Sequence, residues 1–225
     1  NGGSVIYGTV SSSSPYQYDI GSGEYTQLFT PINKTGIVAN KGYVIEAEDL
    51  IYVSVRVNAG RTNSGSYNHA GGLVSKGNSA LGNTFRLGAM LNPLFDTTLL
   101  NFASILATEN GTEITISDLQ NGTKLLDGTT VSGPITITLN KGESYVLALQ
   151  NYNDGSTVSN SSKIIGALVT SDKPVVVNSG SFGGSNSTVM GINPNGGLAP
   201  VGRDLGFDQI VSLEKTGKEY VFVKG

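Results

Sequence analysis

Few side chains in this chain could take part in catalysis. Its 225 residues include one His and no Cys, so thiolate nucleophiles, thiolate metal sites and disulfides are excluded. The single His, His69, lies in a stretch of Gly, Asn and Ser with no carboxylate beside it in the sequence. Because a catalytic His needs a neighbouring group that orients it, we predict that His69 is not a catalytic base.

The sequence also lacks the motifs of common enzymes. It contains no Gly-x-Ser-x-Gly nucleophile elbow, no Gly-x4-Gly-Lys-Ser/Thr phosphate loop and no Gly-x-Gly-x-x-Gly fingerprint. Glu46 and Glu48 would lie on one face of an extended segment, but a solvated strand edge explains such alternating acidic residues more simply. We therefore predict no enzyme activity. The alternative is a polysaccharide-active enzyme, which would need paired carboxylates in a cleft.

Calcium is the metal that the oxygen ligands of this chain fit best. Residues 151–156 read Asn-Tyr-Asn-Asp-Gly-Ser and place the oxygen donors of Asn153 and Asp154 next to a Gly. The distal bidentate Glu of an EF-hand loop is missing from this stretch. Asp204 and Asp208, four residues apart, form a second candidate.

Charge pairing and capping are the alternative explanation for these acidic residues. A short carboxylate can cap backbone N–H groups or pair with Arg203 or Arg86. Arg86 lies between Phe85 and Leu87 and would point away from them, onto a solvated face or towards an acidic loop. We therefore predict no cofactor, with calcium kept as the alternative.

Composition limits the class of partner. The net charge of −3 and a pI near 5.1 give no basic surface for nucleic acid or anionic lipid. The uncharged run at residues 175–202 is interrupted by Gly, Asn, Ser and Pro, so we predict no direct membrane insertion. Hydrophobic residues make up 38% of the chain, enough for a packed core. We expect an extracellular or cell-surface protein.

Alternation of β-branched and polar residues predicts an all-β fold. In residues 112–117, Ile114 and Ile116 fall on one face and Glu113 and Thr115 on the other. At most one or two helical turns are expected, around residues 92–99. We predict an antiparallel β-sandwich-like architecture, with part of a β-propeller as the alternative. The predicted strands are residues 4–10, 49–57, 84–90, 99–108, 112–117, 135–139, 143–149, 163–170, 174–178 and 219–224.

Three stretches are too rich in Gly, Asn and Ser to predict strands: residues 58–72, 151–162 and 179–202. Loops of this length are commonly functional. The first carries Tyr67 and His69, and the third carries Phe182. Aromatic rings on loops can cover a partner surface or a sugar, so we predict that these three residues contribute to a contact surface.

The chain matches itself weakly in three places. Residues 55–60 align with 175–180, residues 71–77 with 196–202, and residues 82–87 with 217–222, always in the same order. This pattern predicts an internal repeat of roughly 125 residues. The last match begins a new unit shortly before the sequence given ends, so we expect a fragment of a longer protein.

The repeat leads to a predicted division of the chain. Residues 1–40 are predicted to form an N-terminal β segment that resembles no known domain and is left unplaced. Residues 41–200 form the main sandwich-like repeat region. Residues 201–225 begin a further repeat, which we expect to pack on the main domain.

Several motifs follow one another in order and resemble a known domain. They are residues 69–77 (HAGGLVSKG), 80–88 (ALGNTFRLG), 101–112 (NFASILATENGT), 139–145 (LNKGESY), 165–180 (IGALVTSDKPVVVNSG) and 202–210 (GRDLGFDQI). Over residues 42–225 the chain resembles the domain related to the N-terminal region of IgGFc-binding protein. That domain occurs in very large cell-surface proteins of gliding or biofilm-forming Bacteroidetes that are exported by type IX secretion. No catalytic residues come with this resemblance.

The resemblance implies a non-catalytic adhesive or ligand-binding module of a large secreted or cell-surface protein. Its expected partners are a cell-surface glycan or protein and other repeats of the same parent chain. The alternative is a structural stalk or a self-assembling filament unit, in which the repeats only stack.

Overall fold

The computed structural model describes residues 4–21, 35–39, 41–61, 67–90, 100–150, 159–184, 190–192, 198–200 and 204–221. At residues 59–61, 67–69, 150, 182–184, 190–192, 198–200 and 204 the backbone alone is described. Within these ranges the chain forms strands and short 3-10 helices without any α-helix, which confirms the predicted all-β class.

The described strands alternate with short turns along the chain. They are β1 (Gly36–Val38), β2 (Ser54–Arg61), β3 (Tyr67–Val74), β4 (Gly82–Arg86), β5 (Leu100–Ala107), β6 (Thr112–Ser117), β7 (Ile135–Leu139), β8 (Ser144–Gln150), β9 (Leu168–Gly184), β10 (Met190–Ile192), β11 (Leu198–Pro200) and β12 (Asp204–Ile210). The 3-10 helices are Gly77–Ala80, Asn160–Ile164 and Leu213–Lys215.

The long strand β9 is the centre of an eight-stranded antiparallel sheet. Its first half pairs with β6 on one edge and β4 on the other, and its second half pairs with β5 and β12. The main path of the sheet is β1-β8-β5-β9-β6-β7. The sheet curves into a nearly closed, barrel-like shape, consistent with the predicted sandwich-like architecture. The alternative, a β-propeller, would instead consist of separate four-stranded blades arranged around a central channel.

The core forms inside this curved sheet from alternate residues of its strands. In β5, Ala103, Ile105 and Ala107 are buried, whereas the residues between them are partly exposed. The same alternation holds in β6, where Ile114 and Ile116 have no exposed surface. The largest fully buried apolar side chains are Phe85, Ile105, Ile114, Ile116, Leu139, Leu147, Leu149, Ile164, Val169, Val175 and Val177.

The prediction of a long loop at residues 58–72 is wrong. β2 and β3 form an antiparallel hairpin there, with Arg56 opposite Gly72 and Ala59 opposite His69. Backbone hydrogen bonds hold a strand pair without bulky side chains, and Gly in a strand commonly marks close approach of another backbone. A Cβ on Gly72 would lie 2.6 Å from the carbonyl oxygen of Val55. The Gly content therefore reflects close backbone packing.

The long loop predicted at residues 179–202 is also wrong at the positions that the structure describes, namely 179–184, 190–192 and 198–200. β9 continues to Gly184, and its residues from Ser179 onward pair with β5 and β12. β10 and β11 form a separate antiparallel pair. In the third predicted loop, residues 151–158 lie outside the described residues and Asn160–Ile164 is a 3-10 helix.

Strand prediction succeeded where the period-2 alternation lay between clear turns. β6 and β7 have the predicted bounds, and β5 and β8 differ from theirs by one residue at each end. Two predicted strands, residues 163–170 and 174–178, are wrong as separate elements, because β9 runs through both from residue 168. Residues 4–10 and 219–221 form no strand. The helical turn predicted at residues 92–99 lies outside the described residues.

The internal repeat is not confirmed. Residues 55–60 lie in β2, which pairs with β3 in a two-stranded sheet, whereas residues 175–180 lie in β9 at the centre of the large sheet. Residues 82–86 form β4, whereas their partners at 217–221 form no strand. The two members of each pair have different neighbours, so the structure gives the sequence matches no common fold. The division of the chain into three parts stays a prediction.

Candidate binding face

Three adjacent strands of the large sheet present a set of polar and aromatic residues away from the core. Ala103 and Ile105 of β5 and Val177 of β9 point into the core. The residues that alternate with them along each strand therefore point to the opposite side of the sheet. The strand register aligns them in two rows across β5, β9 and β12. We call these six residues the outer face: Ser104, Asn178 and Gln209 in one row, and Phe102, Gly180 and Phe207 in the other.

The aromatic row is a pair of rings on either side of a Gly. The ring centroids of Phe102 and Phe207 are 6.3 Å apart and the rings are tilted by 48°. Gly180 lies between them in the register, and a Cβ at this position would lie 2.7 Å from the Cβ of Phe207. Both Phe residues are only partly buried. The backbone of β12 at Gly206 and Phe207 already fills the space that a side chain at Gly180 would occupy.

The polar row contains an acceptor without a partner. The Oδ1 atom of Asn178 is buried and accepts no hydrogen bond from any described residue. Leaving a buried polar atom unpaired costs about 1–3 kcal/mol, so such an atom in a native fold requires an explanation. The neighbouring Ser104 and Gln209 side chains are also partly exposed, and both can hydrogen bond.

Gln209 is oriented by the segment that follows β3. The backbone N–H of Lys76 donates to Oε1 of Gln209 at 2.5 Å, and the Ser75 hydroxyl donates to the same atom at 3.4 Å. Because Oε1 accepts these bonds, the amide nitrogen of Gln209 remains available as a donor. The outer face is therefore tied to the end of β3.

The charges beside the outer face neutralise each other. Nζ of Lys76 lies 2.5 Å from the Oδ2 atom of Asp208 and also donates to the backbone carbonyl of Gln209. Arg86, in β4, pairs instead with Asp118 at 2.5 Å, which confirms the predicted pairing of Arg86 with an acidic group. The carboxylate of Asp208 thus has a cation partner, although a different one from the two Arg residues considered from the sequence.

The structure describes only some of the residues in the two candidate calcium sites. Asp208 pairs with Lys76, Asp204 is the first residue of β12 with its backbone alone described, and Asn153 and Asp154 lie outside the described residues. The described part of the chain contains no group of three or more His, Cys, Asp or Glu side chains that could hold a metal. The calcium sites stay predictions.

The predicted contact residues lie on strands near the outer face. Tyr67 and His69 belong to β3, and β3 packs along β12, where Gly71 closely approaches Leu205. Phe182 belongs to β9, two residues after Gly180 and opposite Leu100. The backbone of Phe182 therefore lies one row beyond the aromatic pair. Binding by these three side chains stays a prediction.

Sequence reasoning missed the outer face itself. Phe102 and Ser104 alternate with the apolar residues of β5, and Asn178 alternates with Val177 in β9, so each strand carried a local signal. Phe207 lies about a hundred residues from Phe102 in the sequence, and only the strand register brings them together. That register cannot be read from the alternation within a single strand.

No Asp or Glu is among the buried residues in the described part of the chain. Separately, none of the described helices is long and apolar enough to cross a membrane.

Comparison with known proteins identifies the family. A family model described as IgGFc binding protein matches residues 71–225, which run from within β3 to the end of the sequence and include the whole outer face. Comparisons with curated proteins and with solved structures give no match. Domains of this family are binding modules and are typically extracellular. Because the match covers more than half of the chain, this chain belongs to the IgGFc binding protein family.

Proposed function

We propose that this chain is a non-catalytic adhesive or ligand-binding module of a large secreted or cell-surface protein. Its partner is a glycan or protein on another surface, and further repeats of the parent chain pack beside it. The observation that carries this proposal is the match of residues 71–225 to a family of binding modules. The partly exposed rings of Phe102 and Phe207 on the outer face add to it.

The proposal extends to the parent protein, an adhesin of bacterial gliding or biofilm formation exported by type IX secretion. Its support is the resemblance of the ordered motifs in this chain to domains of such proteins. The sequence of the parent gene tests this extension. A C-terminal sorting domain or further copies of the module would support it, and a parent protein without either would contradict it.

The proposed contact surface combines β3 with the end of β9, through Tyr67, His69 and Phe182. The test is retention of the purified chain on cell surfaces and on glycan arrays. We expect Tyr67→Ala and Phe182→Ala each to reduce retention several-fold, because aromatic side chains often dominate an interface. Thr136→Ala, an exposed residue of β7, is the matched control. Unchanged retention in both aromatic variants would remove this assignment.

A self-assembling unit is the second candidate, and the edge of the sheet favours it. β7 pairs with β6 on one side and with no described strand on the other. Its sequence Ile-Thr-Ile-Thr-Leu has none of the charged residues or Pro that usually protect an edge from pairing with another chain. The same chain exposes apolar residues near its start, including Val5 and Tyr7.

Sedimentation distinguishes assembly from a stand-alone module. Self-assembly predicts association that rises with concentration and weakens in Thr138→Lys, because a charge on an edge strand opposes pairing. The residue is exposed, so the substitution should leave the fold intact. A monomer over the whole concentration range would contradict this second candidate.

A further inference from the structure

We propose that residues 4–10 of one copy of this chain add as a strand to the edge of β7 in a second copy. This inference rests on the self-assembling unit, the second candidate of the proposed function, and names the two surfaces that meet in it. Two features of the same chain carry it: a strand edge without a partner and a strand-forming segment without a sheet.

The accepting surface is the edge of β7. This strand ends the main path of the large sheet, and among the described strands only β6 pairs with it. Ile135 and Ile137 of β7 pack against the hydrophobic core but are only partly buried. A further strand beside β7 would cover both side chains and pair the free backbone groups of the edge. The core is therefore incompletely covered at this edge.

The donated segment has the composition of a strand but pairs with none. Residues 4–10 read Ser-Val-Ile-Tyr-Gly-Thr-Val, and Val, Ile, Tyr and Thr are enriched in strands. The structure places these residues in no strand and leaves all of them exposed. The exposed fraction is 73% for Val5 and 87% for Tyr7. Pairing with a sheet would bury this apolar surface, which is favourable.

A tight turn restricts the donated segment. Ser11 and Ser14 exchange two backbone hydrogen bonds, with N–O distances of 3.0 and 3.2 Å. Beyond the turn, the ring of Tyr16 lies against Gly8, because a Cβ on Gly8 would be 2.8 Å from that ring. A segment that is already restricted loses less conformational entropy when it binds. These contacts therefore favour pairing of residues 4–10.

Charge favours residues 4–10 over the other exposed apolar stretch, residues 43–52. That stretch contains Glu46, Glu48 and Asp49. A strand added to β7 would lie two strands, or about 10 Å, from β6, where the exposed Glu113 is opposite Thr138. Like charges at this distance oppose pairing. Residues 4–10 contain no charged side chain, and neither does β7.

The two surfaces are different, so their contact would be head-to-tail. The first described strand after the donated segment is β1, which lies at the opposite end of the strand order from β7. A copy that accepts a segment at β7 keeps its own residues 4–10 free for a third copy. Contacts of this kind continue into a filament unless the rotation between copies closes a ring.

The experiment measures sedimentation of the full chain and of two charge variants over a range of concentrations. Tyr7→Asp places a charge in the donated segment, and Thr138→Lys places one on the accepting edge. We expect each variant to weaken self-association by about tenfold or more, because a charge opposes strand pairing at an edge. Leu50→Asp and Thr129→Lys make the same charge changes at exposed sites elsewhere and should associate as the unaltered chain does.

An equimolar mixture of the two variants tests the head-to-tail contact directly. Tyr7→Asp keeps an intact edge, and Thr138→Lys keeps an intact donated segment. We expect the mixture to form one-to-one dimers that grow no further, at concentrations where each variant alone is monomeric. A mixture that stays monomeric under these conditions would overturn the inference.

Urea denaturation shows whether the variants are folded. Tyr7 and Thr138 are exposed, so both variants should unfold at the same urea concentration as the monomeric unaltered chain. Val5→Asp and Thr136→Lys alter the same two surfaces and replace a variant that unfolds earlier.

The remaining outcomes separate this inference from the proposed function. If Thr138→Lys prevents association and Tyr7→Asp does not, β7 pairs with another surface; the inference is then wrong and the self-assembling unit stands. If the unaltered chain is monomeric at every concentration, both are wrong. Retention on cell surfaces still tests the adhesive module in that case.

Discussion

Two Asn residues in the same sheet show that a side-chain amide can either raise or lower the stability of the fold. The amide nitrogen of Asn101 donates to the carbonyl oxygens of Ser161 and Met90, and this side chain is fully buried. Asn178 faces the opposite side of the sheet and has an acceptor without a partner. The first amide stabilises the fold, whereas the second leaves a buried oxygen unpaired, which costs folding free energy.

This difference predicts opposite effects of one substitution. Asn101→Val should lower the free energy of unfolding by about 2–3 kcal/mol, because the carbonyls of Ser161 and Met90 lose their donor. Asn178→Val should leave the free energy of unfolding unchanged or raise it by about 1 kcal/mol. Urea denaturation measures both values. Equal losses in the two variants would show that Asn178 has a structural partner.

Glu214, in the 3-10 helix after β12, makes stability depend on pH. Burial alone would raise the pKa of this carboxyl group. The carboxylate also accepts hydrogen bonds from the Thr84 side chain and from the backbone N–H groups of Glu214 and Asn83. These bonds have the larger effect, so the pKa of Glu214 lies below its usual value. The carboxylate therefore contributes stability above its unfolded pKa, and this contribution is lost as the pH falls through the lower folded pKa.

The pH dependence can be measured with one variant. Between neutral pH and about pH 3, the unaltered chain should lose more thermal stability than Glu214→Gln, which has no carboxyl group to protonate. Glu48→Gln, at an exposed site, controls for the general effect of removing an acidic residue. Parallel pH profiles for the unaltered chain and Glu214→Gln would contradict the assignment.

At the scale of elements, the sequence predicted strands well only where turns enclosed them. Asn-Gly before β6 and Asn-Lys-Gly before β8 are strong turn signals, and the strands beside them have the expected bounds. Asp172, Lys173 and Pro174 read as a break, yet β9 passes through them. The Asp172 side chain accepts a bond from the backbone N–H of Glu113, and the Ser171 hydroxyl donates to the carbonyl oxygen of Lys173. Pairing with distant strands overrides the local signal.

The β2–β3 hairpin could not be predicted because its Gly residues allow other strands to pack closely against it, and those strands are distant in the sequence. A Cβ on Gly71 would lie 2.6 Å from the carbonyl oxygen of Leu205 in β12. Local composition cannot distinguish a Gly that makes room for another backbone from a Gly in a flexible loop.

Gly71→Val should therefore loosen the hairpin from β12. We expect it to lower the free energy of unfolding by about 1–3 kcal/mol, as over-packing does in a close contact, and to weaken the bond between Lys76 and Gln209. Gly88→Ala is the control, because a Cβ there meets nothing within 4 Å and should change stability by less than about 0.5 kcal/mol. Urea denaturation gives both numbers. Similar losses in the two variants would contradict a specific contact at Gly71.

For the whole molecule, the sequence determined the class of fold and the family but not the position of the outer face. Hydrophobic alternation and turn residues suffice for an all-β chain, and ordered motifs suffice for a family. The outer face depends on how β5, β9 and β12 align across about a hundred residues. The weak self-matches predicted a repeat that the strand pairing does not confirm, because short Val- and Gly-rich stretches recur in unrelated strands.

The first described segment, residues 4–21, contributes little to the main sheet. Nearly all of its residues are exposed, and the ring contact between Tyr18 and Tyr43 is among its few interactions. Removal of residues 1–18 should therefore change the free energy of unfolding by less than about 1 kcal/mol. Thermal unfolding of the shortened chain measures this value. A larger loss would show that this segment is part of the folded core.

The central position of β9 has a consequence for the order of events in folding. Its partners β4, β5, β6 and β12 come from sequence positions up to about ninety residues away, and strand pairs of such separation form slowly. The two halves of the sheet meet on this strand, and Ile210 of β12 packs against the same core. The core can therefore close only after both β9 and β12 have been synthesised.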